Sequence, residues 1–157
     1  MTSHPTVLVY GLADINVIAA RITAELRPGD VVGLSGELGA GKTSLARAIL
    51  SHLGLTGEAP SPSFAIVQPY APPETRFPVL HIDLYRIERA AEIAELGLDE
   101  ARSDHAFLIE WPERLGDTDI GPMLVLAIDF VGEHRRRLTV TVPQAWTGRW
   151  AKLLHSL

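Results

Sequence analysis

The sequence predicts an α/β fold, a three-layer sandwich around a mostly parallel sheet, with antiparallel strands added near the C-terminus. Three observations carry this expectation. Short apolar runs alternate with segments whose apolar residues recur at helical spacing, the pattern of strands joined by crossover helices. One apolar run leads straight into a glycine-rich loop and a second amphipathic segment. Two further runs near the end are separated only by a short turn, which joins antiparallel neighbours.

The elements follow in order. Residues 6–10, TVLVY, form a strand. Asp14 is placed to cap the helix behind it, where Ile15, Ile18, Ile22 and Leu26 recur on one face until Pro28-Gly29 ends it. Residues 31–34 are a buried-type strand, and Leu45, Ala46, Ile49, Leu50 and Leu53 make the inner face of a helix that Gly54 stops. A strand is expected over 64–70, a proline-rich loop over 71–78 and a strand over 79–84. Residues 90–96 read as helix, broken by Gly97. Residues 106–111 are a fully apolar strand ending at Glu110, and 123–131 and 137–142 are strands joined by a turn over 132–136. Trp146, Trp150, Leu153 and Leu157 share one face of a last helix. That spacing assigns the tryptophans to core packing rather than to a nucleotide platform.

The chain of 157 residues suits one domain, 1–157, with 46% hydrophobic and 21% charged residues. No cysteine is present, which excludes disulfides and thiolate metal sites and suits a reducing, cytoplasmic location. The opening MTSHPTVLVYGLAD has no basic region before its short apolar run, so neither a signal peptide nor a membrane anchor is expected. A formal charge of −5 argues against tight stand-alone binding to nucleic acid, which is driven by neutralising phosphates.

Chemistry concentrates in SGELGAGKTSLARAIL, beginning at Ser35. Gly36, four residues and then Gly41-Lys42-Thr43 match the phosphate-binding P-loop, and the strand before it and helix after it are the context that motif requires. The expected fold is therefore P-loop NTPase-like. The glycines let backbone N–H groups of Glu37, Leu38, Gly39, Ala40, Gly41, Lys42, Thr43 and Ser44 turn inward on phosphate oxygens. Lys42 is placed for the β- and γ-phosphates, the Thr43 hydroxyl for Mg2+, and the helix start adds its positive dipole end.

Such enzymes need a further carboxylate beside the metal. Asp83 in VLHIDLYR and Glu110 in AFLIEW both end apolar strands, and ligands of parallel sheets bind beyond the strands' C-terminal ends. Spacing alone does not decide which acid holds metal and which positions water. Ser61-Pro62-Ser63 reads either as an ordinary turn or as hydroxyls sensing the γ-phosphate. The six histidines show no metal spacing; His81, on the same strand face as Asp83, reads either as a satisfied strand-end residue or as a neighbour of the site. Arg135-Arg136-Arg137 reads either as a solvated turn or as a contact with a partner or tRNA.

Taken together, GELGAGKTSLARAIL, SPSFAIVQPY, HIDLYRIE and LIEWPERL closely resemble the bacterial TsaE family, over roughly residues 10–140. The resemblance implies ATP binding at the P-loop residues, a magnesium-linked role for Thr43 and Asp83, and a role in hydrolysis for Glu110, with Trp111 adjoining the site. It also implies an accessory step in making N6-threonylcarbamoyladenosine, beside the anticodon of tRNAs that read codons starting with A. TsaD and TsaB are the implied partners, with tRNA met only through their complex. ATP rather than GTP rests on this resemblance alone. One departure is Ser63, where the family usually has threonine: the hydroxyl is kept and the methyl lost, so a slightly looser loop is expected. With little room for a substrate lid, the chain is expected to be a poor ATPase until a partner completes the site. The alternatives are a stand-alone small-molecule kinase and a binding module whose ATP is structural.

Overall fold

The computed structural model describes residues 6–155. One sheet of seven strands, in the order β1-β7-β6-β2-β5-β4-β3, organises the chain. Its strands are β1 (Thr6–Gly11), β2 (Val31–Gly36), β3 (Val67–Tyr70), β4 (Val79–Asp83), β5 (Ala106–Glu110), β6 (Leu124–Val131) and β7 (Arg135–Thr141). The centre, β6-β2-β5-β4, is parallel, as expected of apolar runs joined by crossovers. β7 is antiparallel to β6, which is the addition the sequence announced. Antiparallel pairing also occurs where it was not expected, between β3 and β4 at one edge and between β1 and β7 at the other.

Side chains alternate across β2 and β5 because strand residues point to opposite faces in turn. Val32, Leu34 and Leu108 meet α1 (Ile15–Glu25), α2 (Lys42–His52) and α5 (Thr147–Leu154) on one face through Ile22, Leu45, Ile49 and Trp150. Val31, Phe107 and Ile109 face the other way, into a second core with Ile82 of β4 and with Ile93 and Leu98 from α3 (Ala90–Ala94) and α4 (Leu98–Ala101). Trp146 and Trp150 are buried, as their spacing predicted, and Trp150 Nε1 donates to Thr6 Oγ1 at 3.1 Å. Fully burying side chains of this size contributes about 1.5–3 kcal/mol each. Leu157 lies outside the described residues. Among the described residues no helix is long and apolar enough to cross a membrane.

Four local expectations are corrected. Asp14 stands at the start of α1 but makes no cap bond to it; its carboxylate accepts from Gly11 N at 3.1 Å and closes the preceding 3-10 turn. The strand expected over 64–70 begins only at Val67, because Pro62 O accepts from Ile66 N at 2.7 Å in a turn and Ile66 has φ 66°. The helix expected over 90–96 is α3, shorter at its end, followed across Gly97 by α4, which sequence periodicity did not mark. The turn after β6 is shorter than expected, so Arg135, Arg136 and Arg137 belong to β7 rather than to a solvated turn.

Candidate functional site

Three strand ends converge. β2 runs into the loop that precedes α2, while β5 beside it and β4 beyond β5 end in Glu110 and Asp83, which are register partners. The loop needs glycine twice over. Gly36 has φ 146°, and a Cβ there would lie 2.5 Å from Ile128 O of β6; Gly41, at the start of α2, has φ 113°. Gly36→Ala is therefore expected to destabilise the fold by about 2 kcal/mol or more, read from urea denaturation.

Lys42 is buried and its Nζ donates to Gly36 O at 2.6 Å and Glu37 O at 2.8 Å, while lying 4.2 Å from the centroid of the Trp111 ring. Desolvation pulls its pKa below the usual lysine value, opposed by the charges of Glu110, Glu113 and Asp83. Thr43 Oγ1 donates to Glu110 Oε1 at 2.7 Å, a bond across 67 residues of sequence. The second oxygen of Glu110 meets His81 Nε2 at 2.7 Å. An ionised carboxylate only accepts, which makes the imidazole the donor. His81 is thus not a satisfied strand-end residue: it grips a site carboxylate, and its Nδ1 is buried with no partner among the described residues. Asp83 accepts from Tyr85 N at 2.9 Å, and desolvation pushes its carboxyl above the ordinary range, with Glu110 acting the same way.

These groups line a cleft of about 470 Å3. Gly39, Gly41, Lys42, Thr43 and Ser44 form its floor, and the carboxylates of Asp83 and Glu110 lie on its strand side. Leu38 stands exposed on one rim, while Glu37 and Ala40 belong to the loop without lining the cleft. Trp111 lies in the left-handed region at φ 60°, a conformation costly for a bulky residue, and its ring meets that of Tyr85 tilted at 44° with centroids 5.1 Å apart. Ser61 and Ser63 line the opposite wall with their hydroxyls 2.8 Å apart. Their segment is a turn, yet it is tied to the acids, because Ile66 O accepts from Asp83 N at 2.8 Å. Exposed Phe64 on that wall carries the Arg86 guanidinium 4.3 Å from its ring centroid.

The donor set fits Mg2+. Hydroxyl and carboxylate oxygens are hard ligands, and two desolvated acids side by side favour a cation between or beside them. Among the described residues no three His, Cys, Asp or Glu side chains cluster to hold a metal.

Sequence reasoning brought together Lys42, Thr43, Asp83 and Glu110 and missed the hold of His81 on Glu110. The signal was VLHIDL itself: a histidine inside a run buried on both faces needs a polar partner.

The family model described as threonylcarbamoyl adenosine biosynthesis protein TsaE matches residues 10–138. A Rickettsia felis protein named tRNA threonylcarbamoyladenosine biosynthesis protein TsaE is 35% identical over 124 residues, covering 78% of this chain and 71% of that one. A Bacillus subtilis protein of the same name is 34% identical over 129 residues, covering 82% of this chain and 79% of its own. The crystal structure of YdiB from Bacillus subtilis matches with a TM-score of 0.77 over 99% of both chains at 24% identity, a likeness of fold.

Proposed function

The chain belongs to the TsaE family, named for tRNA threonylcarbamoyladenosine biosynthesis, and from that premise we propose that it is a magnesium-dependent ATPase serving that modification. The bond between Thr43 Oγ1 and Glu110 Oε1 carries the reading, since it joins a phosphate-binding loop to a strand-end acid. A glycine-rich turn without function has no need of such a partner.

In this reading the loop N–H groups and Lys42 bind the ATP phosphates, so Lys42 exchanges its two loop carbonyls for phosphate oxygens. Thr43 and Asp83 would hold Mg2+, which would supply charge neutralisation for the phosphates. Glu110, fixed on both oxygens, holds the Thr43 hydroxyl in place and orients the attacking water, whose proton it accepts. Water attack on the γ-phosphorus breaks the bond to the bridging oxygen and leaves ADP and phosphate. Trp111 covers Lys42 and keeps bulk water from its ammonium.

The cleft is open on the side of Phe64 and Tyr85, both exposed. A partner that covers this opening orders the site and excludes water, and an in-trans group contributes about 10³–10⁵ in rate for such enzymes. The partners are TsaD and TsaB, and the energy of hydrolysis goes into resetting their complex. Adding TsaD and TsaB from the same organism is expected to raise steady-state ATP hydrolysis at least about tenfold. Rapid turnover alone, unchanged by the partners, would overturn the reading in favour of a stand-alone kinase acting on a small acceptor.

A further inference from the structure

The phosphate-binding loop has a support that its own sequence does not reveal. The carbonyls of Gly36 and Glu37 are served by Lys42 Nζ, and that of Ala40 finds its donor outside the loop. Ala40 sits between Gly39 at φ 81° and Gly41 at φ 113°, and it is almost fully buried. Its N–H donates to Glu37 O at 3.1 Å. Its carbonyl accepts from Arg136 Nε at 3.0 Å, a buried bond to a residue 96 positions away on β7. Arg136 is 8% exposed, and its guanidinium lies over the Phe130 ring at 4.4 Å while Nη1 donates to Arg135 O at 3.0 Å. Stacking on one face and donation along the edge fix the planar head in one orientation.

We propose that Arg136 is a positioning residue for phosphate binding, acting through the Ala40–Gly41 peptide. The two ends of that peptide group are coupled. A charge-assisted bond to the Ala40 carbonyl polarises the amide and makes the Gly41 N–H a stronger donor. Gly41 lines the cleft, so the effect is delivered where a phosphate oxygen would be met. The same bond resists rotation of a peptide that has glycine on its C-terminal side and would otherwise turn with little hindrance. Arg136 touches no ligand itself and does both tasks from behind the loop. A lysine cannot replace it fully, because an ammonium has no planar edge to donate along while it stacks.

The proposal rests on the nucleotide reading above, and two measurements separate the two. The first is amide hydrogen exchange in the ligand-free chain, comparing Arg136→Met and Arg136→Lys with the parent. Exchange at Ala40 is expected to speed up at least about tenfold in Arg136→Met and less in Arg136→Lys, with Val32 and Leu34 of β2 unchanged. The second is the dissociation constant for Mg·ATP. It is expected to rise about tenfold or more in Arg136→Met, to be partly restored in Arg136→Lys, and to stay near the parent value in Arg137→Met, which removes the same charge from an exposed neighbour. Should Arg136→Met fail to fold, Phe130→Leu removes the stacking platform and is expected to change both readings in the same direction. Unchanged exchange at Ala40 overturns the positioning role, as does ATP affinity within about twofold of the parent in a folded variant. A parent chain that does not bind ATP overturns the nucleotide reading, and the exchange measurement then still decides whether Arg136 holds the loop.

Discussion

Glu110→Gln is expected to bind ATP as the parent does and to lose about 10²–10⁴ of its turnover. The substitution keeps the shape of a side chain that is 2% exposed, so the core beneath β5 does not repack. The amide oxygen still accepts from Thr43 Oγ1, and the amide nitrogen donates to His81 Nε2 once the imidazole takes its other tautomer. What disappears is the negative charge and the ability to take a proton. Single-turnover hydrolysis beside equilibrium ATP binding measures both quantities. Retained binding with lost turnover places Glu110 in the chemical step. Binding and turnover lost together would move its role to holding the metal, and unchanged turnover would remove it from the site's chemistry.

Lys42→Ala is expected to reduce affinity for Mg·ATP about 100-fold or more, with turnover lost in proportion. The ammonium is the cation at the floor of the cleft, and removing it leaves phosphate charge beside two carboxylates. The fold should survive the change. Desolvation already holds the lysine pKa below its ordinary value, so the folded state gains little from the charge when no anion is present. Lost binding with an unfolding temperature close to the parent's is therefore the expected pair of results, read by calorimetric titration and thermal denaturation. A variant that binds ATP normally would overturn phosphate recognition by this loop.

Much of this site could be read from residue order alone, because its parts obey local rules. A P-loop is contiguous, and an acid closing an apolar strand stands out against the run before it. Where sequence reading failed, a local rule met a long-range partner. Phe64 and Ala65 look like the start of a strand, but Pro62 turns the chain there, and Ile66 O is committed to Asp83 N. Three successive arginines look solvated, yet Leu138 and Val140 point into the core, and counting back by two places Arg136 on the same face. Period-two alternation carried that information, and charge obscured it. His81 was hidden for a related reason: only the pairing of β4 with β5 brings Glu110 within its reach.

The pairing of β1 with β7 sets an early strand beside a late one, with Thr6 opposite Val140. Arg136 reaches the phosphate loop from the same late strand. During synthesis the first strand leaves the ribosome long before its partner exists, and the loop is complete as sequence while its rear support is still untranslated. Contacts of such long sequence separation are slow to form because the chain closure they require costs entropy first. While the residues between them are being made, the nascent chain therefore carries β1 unpaired and the loop before α2 not yet held from behind, until β7 emerges.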